Sequence, residues 1–508
     1  MIKVNIQKNY RAYLILLIIL SLFFHLVYLD YSRFEHEMAR DIIIAEKILN
    51  GNLVFHGLIG SLEKDNSVGE DAVQQSFGPL YYYLIAFSLI FASGHYYYPL
   101  MPYVLAVVIH LLSVLVLFKL CREFFNIKTA LIASSLYTFS PWVFVHVGGM
   151  FTNSAFPVLL VTFFIYSMFR FLIKDDNKYL IFGMVSLALA TQLHLSTLTL
   201  LPAFICYLFL KKKFKLKYFF AGLALSFLLF LPFLYYNITN NSIGSIFTFL
   251  SQRYEASFFR TVIESVGMPI LYTTPYFGKY LLGDVKFSMA VNALVYILAA
   301  FMVVLFSLAI FSLLKALFRS KDIRFKILLI WIVVPILLYI MSSKDLSPHY
   351  LNILLPSQFI VLGIYLNKIS KSFKLLEYLP YILVLTNLIF IILFFNLVNE
   401  NNGTSGIFGV PYEIKYELMN FIKDDSKGAD LIVNYYKGII GKRDLNFLFN
   451  KAGLNPKINI INDLEEYKDG YLILDRFSYY SNDKGIREEW IIDFPLIKRI
   501  GKYEIFKK

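Results

Sequence analysis

The sequence predicts an α-helical polytopic membrane protein with a small soluble α/β domain at its C-terminal end. Three observations predict it. Of 508 residues, 58% are hydrophobic and only 16% charged, well under the ~25% charge of a soluble domain; mean hydropathy is +0.61. Long apolar runs recur through the first 400 residues, separated by short basic loops. Beyond the polar stretch Asn401-Asn402-Gly403-Thr404-Ser405-Gly406 the composition becomes that of a soluble domain.

Candidate spans lie near 12–29, 99–118, 129–148, 154–173, 179–193, 195–210, 218–236, 290–317, 327–342, 349–366 and 378–398. The first follows Lys3, Lys8 and Arg11 and is long, so it reads as a retained signal anchor and not a cleaved peptide. Residues 79–93 are apolar but short for a hydrocarbon core of ~30 Å, so they read as a re-entrant or interfacial helix. That leaves about eleven crossings. Counting 79–93 as a crossing would invert every later loop.

Five basic clusters set the orientation. They are Lys119/Arg122/Lys128, Arg170/Lys174/Lys178, the lysines from Lys211 to Lys217, Arg319/Lys321/Arg324/Lys326 and Lys368/Lys371/Lys374. Cytoplasmic loops carry the excess of Lys and Arg. The expectation is therefore a multi-pass protein of the cell (plasma or inner) membrane, with its N-terminus cytoplasmic. Loops 30–78 and 237–289 and the C-terminal domain would be extracytoplasmic. The net charge of +13 sits in these loops, which removes its usual implication of nucleic-acid binding. Cys121 and Cys206 lie in or beside apolar spans, so no disulfide framework is indicated.

The expected domains are 1–400, membrane-embedded, and 401–508, an extracytoplasmic α/β unit. The latter reads as a helix near 412–424, a strand at 429–436, a helix near 443–452 and strands near 457–461 and 470–475. No fixed-period repeat and no HExxH-type metal motif is present.

Chemistry concentrates in four segments expected on one membrane side. The first is Phe34-Glu35-His36-Glu37-Met38-Ala39-Arg40-Asp41, a helix ending at the Asn50-Gly51 stop signal. Acids at the mouth of a membrane helix are costly and point to function. Glu37 and Asp41 share a helix face, and Arg40 is a possible partner for Glu37. The others are the Gly148–Ser154 turn with Asn153, the Thr191–Thr197 segment with His194, and the Ser342–Tyr350 segment with Lys344, His349 and Tyr350. Ordinary roles compete: His194 as an interhelical hydrogen-bonder, Lys344 snorkelling to the interface, and Tyr81, Tyr82 and Tyr83 as an aromatic belt.

The order of acid-rich first loop, Gly78-Pro79-Leu80-Tyr81-Tyr82-Tyr83 helix and Gln192-Leu193-His194-Leu195-Ser196 segment resembles the GT-C membrane glycosyltransferases. Within them it is similar to glycosyltransferase family 39, which holds protein O-mannosyltransferases and lipid A aminoarabinose transferases; the likeness covers roughly residues 10–370. The resemblance implies transfer of a sugar from a polyprenyl-phosphate carrier to a lipid, glycan or protein acceptor on the non-cytoplasmic side. By position it implies Glu37 as catalytic acid or base. Ser76-Phe77-Gly78-Pro79-Leu80 stands where the aminoarabinose transferases have a Glu-Lys-Pro-like element, so acid and lysine are absent there. Asn153 stands in place of a second Asp and His194 in place of a Lys. Gln252-Arg253-Tyr254 and Lys344 with Pro348 and Tyr350 match cationic elements.

These residue types suit the reaction. Glu37 takes the acceptor proton, supported by Arg40 and Asp41. Arg253, Lys344, His194 and His349 receive the leaving phosphate. Asn153, Tyr81, Tyr82, Tyr83 and Tyr350 line the substrate and lipid cavity. One displacement with one base inverts the anomeric carbon. No cofactor is assigned. A divalent metal stays an option through Glu35, His36, Glu37 and Asp41, although neighbouring residues on a helix face different ways. The competing readings are a transporter or flippase of lipid-linked sugars and a non-catalytic assembly subunit.

Overall fold

The computed structural model describes residues 6–55, 78–211, 213–240, 257–276, 281–283, 285–320, 322–342, 347–404, 406, 408–426, 431–436, 442–461, 470–475, 496–501 and 503–507. Its first part is helical: α1 (Ile6–Val27), α2 (His36–Leu49), α3 (Leu80–Leu89), α4 (Gly94–Tyr97), α5 (Met101–Phe124), α6 (Ile127–Thr138), α7 (Pro157–Ile173) and α8 (Lys178–Leu193). There follow α9 (Leu200–Leu210), α10 (Leu216–Thr239), α11 (Phe258–Leu271), α12 (Met289–Ser320), α13 (Ile323–Ser342), α14 (Leu355–Ser372) and α15 (Leu379–Glu400). Seven helical stretches among the described residues are long and apolar enough to cross a membrane, and four shorter apolar helices accompany them. The protein is a multi-pass membrane protein.

Helix α3 has ten residues, about 15 Å at 1.5 Å per residue, half of what a crossing needs. Its start is fixed by packing: a Cβ on Gly78 would collide with the Gln192 side chain. Gln192 is itself buried and donates to the Leu229 carbonyl at 2.8 Å.

Helix α6 stops at Thr138, because Pro141 supplies no N–H to continue it. The chain resumes as a single π-turn, Val143–Val147, closed by the Gly148 N–H donating to the Val143 carbonyl at 3.0 Å. Such wider turns shift the register of everything after them and gather at functional sites.

The tail is an α/β unit. Helices α16 (Tyr412–Ser426) and α17 (Lys442–Lys451) accompany β1 (Ile432–Tyr436), β2 (Lys457–Ile461), β3 (Tyr471–Asp475), β4 (Leu496–Ile500) and β5 (Tyr503–Lys507). The sheet order is β2-β1-β3-β5-β4. Interior strand β1 is parallel to β2 (Asn434 opposite Asn459) and to β3 (Asn434 opposite Leu472). The β4/β5 pair, absent from the sequence reading, closes the edge antiparallel through Leu472 opposite Phe506. Gly501, at φ +56°, makes its turn.

The stretch read as a linker is a docked turn. The Thr404 hydroxyl donates to the Leu281 carbonyl at 3.0 Å, and the Phe408 N–H to the same oxygen at 3.2 Å. A further seam joins tail to bundle where Arg33 bridges Pro411 and the Tyr412 N–H donates to the Ser32 carbonyl at 2.9 Å.

Candidate active site

Helix α2 carries the acidic motif, and its local sequence shapes both ends. It stops in a Schellman turn: Gly51 adopts φ +89°, and the Asn52 N–H reaches back to the Lys47 carbonyl at 2.9 Å. Apolar Met38, Ala39, Ile42 and Ala45 are buried. On its tail-facing side Phe34 meets Tyr412 edge-on at 5.7 Å and Phe447 at 5.9 Å.

The charges of this motif pair locally. Arg33 binds Glu35, and Arg40 binds Asp41 at 2.9 Å. Arg40 is therefore not the ion-pair partner of Glu37, against expectation. Asp41 is 4% exposed and also receives the Tyr81 hydroxyl. Burial raises its carboxyl pKa to about 6, with Arg40 and Tyr81 pulling the other way. Glu37 lies in the field of Arg33, Arg40 and Asp41, yet its carboxylate has no hydrogen-bond or ion-pair partner among the described residues. It stands half-buried at the centre of a set whose other charges are already matched.

Tyr81 and Tyr82 are not a lipid-facing belt. They are buried, with Tyr81 stacked on Phe151 at 5.6 Å and edge-on to Phe156 at 5.5 Å; Tyr83 is half-buried. An aromatic run of three on a helix points three ways, and the bundle takes two of them. Phe151 belongs to the turn that carries Asn153, whose amide approaches the Leu193 carbonyl at 3.5 Å. Asn153 thus joins the turn to the end of α8.

The second cluster is one of imidazoles. His194 caps a short 3₁₀ turn, Leu195–Thr199: its Nδ1 accepts the Ser196 N–H at 3.3 Å and lies 2.7 Å from the Ser196 hydroxyl. Accepting at Nδ1 places the ring proton on Nε2. His349 sits 5.6 Å from His194 between ring centres, with Ser347 Oγ 2.7 Å from its Nδ1. Tyr350 lies edge-on to His349 at 4.6 Å and 5.7 Å from His194. His146, from the π-turn, is 6.4 Å from His349.

Below them Trp142 is an anchor. It stacks on His146 at 4.2 Å and on Tyr272 at 5.1 Å, and its indole N–H donates to Asn352 Oδ1 at 3.0 Å.

The structure thus brings together Glu37, Arg40, Asp41, Tyr81 and Tyr82 at one end and His194, His349 and Tyr350 at the other. Asn153 lies alongside. Arg253 and Lys344 lie outside the described residues, as do Gln252, Tyr254, Ser76 and Phe77. Sequence reasoning missed Arg33 and His146; the field of Arg33 reaches both Glu37 and His146. Arg33 was legible as a base set directly before the acids. Among the described residues no group of three His, Cys, Asp or Glu is arranged to hold a metal ion.

Comparison with known proteins now decides the architecture. ArnT from Cupriavidus metallidurans, in its apo state, superposes with a TM-score of 0.60 at 11% identity, covering 98% of each chain. The same protein bound to undecaprenyl phosphate gives 0.61 at 11% identity, covering 97% of this chain and 98% of that one. The fold is that of the GT-C membrane glycosyltransferases. The oligosaccharyltransferase AglB from Archaeoglobus fulgidus, in complex with an inhibitory peptide and a dolichol-phosphate, gives 0.52 at 12% identity over 93% of this chain and 70% of that one. By sequence, the family described as dolichyl-phosphate-mannose-protein mannosyltransferase matches residues 76–236. The match contains Tyr81, Asn153, His146 and His194 but neither Glu37 nor His349. No curated protein matches the sequence.

Proposed function

We propose that this protein is a glycosyltransferase that moves a sugar from a polyprenyl-phosphate carrier to a hydroxyl or amine acceptor at the extracytoplasmic face of the cell membrane. The observation that carries the reading is Glu37. It is a carboxylate at the mouth of a membrane bundle with no hydrogen-bond or ion-pair partner among the described residues, while its neighbours Glu35 and Asp41 are paired. A base that must accept a substrate proton needs an open oxygen within hydrogen-bond reach of that proton.

In this reading the acceptor oxygen or nitrogen attacks the anomeric carbon and its proton passes to the Glu37 carboxylate. The bond from the anomeric carbon to the phosphate oxygen breaks, and the electron pair leaves with the phosphate. That group departs as an anion and needs no proton, only donors and positive charge already in place. His194, whose Nε2 carries the ring proton, and His349 supply donors, while Arg253 and Lys344 supply charge. Arg40 and Asp41 hold the helix that presents Glu37. A single displacement inverts the anomeric carbon. The ArnT complex with undecaprenyl phosphate and the AglB complex with a dolichol-phosphate favour this donor class.

The test is reconstitution of the full chain in liposomes with polyprenyl-phosphate sugars, following release of free carrier phosphate. Turnover should occur, and Glu37→Gln should abolish it while donor binding stays within about twofold. Full activity in that variant would remove the general-base role. Absence of any carrier release by the native chain, with binding intact, would sink the transferase reading.

A further inference from the structure

We infer that His146 binds the phosphate group of the lipid carrier, donating a ring N–H to it between Arg33 and the His194–His349 pair; this rests on the transferase reading above.

His146 is 4% exposed, and among the described residues neither of its ring nitrogens has a hydrogen-bond partner. Buried polar side chains are nearly always bonded, so each exception calls for an explanation. Packing does not supply one. The ring stacks on Trp142 at an interplanar angle of 14°, a contact that phenylalanine would make as well, without an unmet donor.

The backbone adds a second observation. His146 rides on the π-turn Val143–Val147, and the extra residue in that turn rotates it away from the register an uninterrupted helix would give. Its electrostatic neighbours are the third: Arg33, His349 and His194 all act on this ring. Arg33 has an unmet donor of its own, a buried Nε with no hydrogen-bond partner among the described residues. Two unanswered N–H groups, on Arg33 and on His146, thus lie within electrostatic reach of each other.

A ligand that answers both must bring several acceptor oxygens and negative charge. A phosphate group does so, and a sugar hydroxyl does not. A bound neutral imidazole adds a hydrogen bond without charge, which suits a site that must release its phosphate product after each turnover.

The full-length protein in nanodiscs is titrated with undecaprenyl phosphate, with undecaprenol lacking the phosphate, and with inorganic phosphate. The native chain should bind the phosphorylated lipid more tightly than the alcohol. His146→Phe, which keeps the stack on Trp142, should weaken the phosphorylated lipid roughly tenfold and leave the alcohol unchanged. His146→Gln, which keeps an N–H, should recover part of the loss, and it carries the test if the Phe variant does not fold. A phosphate preference that survives both substitutions overturns the assignment, as does equal weakening of the two lipids, the mark of a merely structural role. Inorganic phosphate bound as tightly as the lipid would assign the site to free phosphate and overturn the carrier assignment. A native chain with no preference for the phosphorylated lipid would instead bring down the transferase reading itself.

Discussion

At the α2 end of the site, Arg33 is answered by Glu35 and Asp41 by Arg40, while Glu37 has no ion-pair partner among the described residues. At the other end His194 and His349, from distant parts of the chain, gather around Tyr350, with His146 6.4 Å from His349. There, among the described residues, no carboxylate joins them in a metal-holding group. One end is a set of charges that cancel down to a single carboxylate. The other is a set of donors that carry little charge. The contrast matches what the two halves of a displacement require: a base where a proton is lost, and donors where a phosphate oxygen gains electrons.

The sharpest way to break this comparison is Glu37→Gln, expected to lower turnover by roughly 10³-fold, within the range for a positioned base. Carrier-phosphate release in liposomes measures it. If His194→Ala cost as much as Glu37→Gln, the contrast between the ends would fail.

Next in size is the tie behind α2. Lys415, 3% exposed, donates both to the Phe34 carbonyl and to Asp444, which is fully buried. Burial raises the Asp444 pKa, with Lys415 opposing it. Asp444→Asn leaves the lysine charge uncompensated and should cost about 3 kcal/mol in thermal unfolding. Lys415→Met combined with Asp444→Leu should restore most of that stability.

Asp41 gives a pH test. Its folded pKa, about 6, lies above the model-peptide value of 3.8, so the folded state holds the proton more tightly than the unfolded chain. Its contribution to stability is therefore greatest below about pH 4 and is lost as pH rises through about 6. If the ionised pair with Arg40 is what holds Glu37 in place, activity should fall as pH drops through about 6, and Asp41→Asn should erase that limb. A pH–rate profile of both proteins decides it.

The smallest effect serves as the baseline. Arg260 and Glu264 pair at 2.8 Å on α11, with the arginine 61% exposed. Arg260→Ala should change stability by less than about 0.5 kcal/mol and leave carrier release unaffected. A large loss there would mean that the site extends beyond its two ends.

The spans were legible because the hydrocarbon core imposes length and composition on them, as at α12 and α15. The tail was legible through its alternation, and α17 begins within one residue of its expected start. The acidic motif was legible because charge beside a membrane helix is costly. What the sequence hid is informative. His146 lies in an apolar run continuous with a span, and only the break at Pro141 and the π-turn set it apart. Ion-pair choice was hidden as well. Arg40 has acids at i−3 and i+1, and tertiary burial, not spacing, selected Asp41. For Tyr81 to Tyr83 the sequence left a belt and a cavity wall both open, because aromatic composition is the same inside and out.

The contact of Lys415 with the Phe34 carbonyl has a consequence for how this protein can be divided. That oxygen lies three residues before Glu37, and its donor belongs to the tail. Cutting the chain after α15 would remove the lysine and strip Phe34 of both its aromatic neighbours. Grafting on a foreign tail would do the same unless it brought a cation to that carbonyl. The tail is in this sense part of the packing that holds the segment leading into α2, and the two are expected to unfold together.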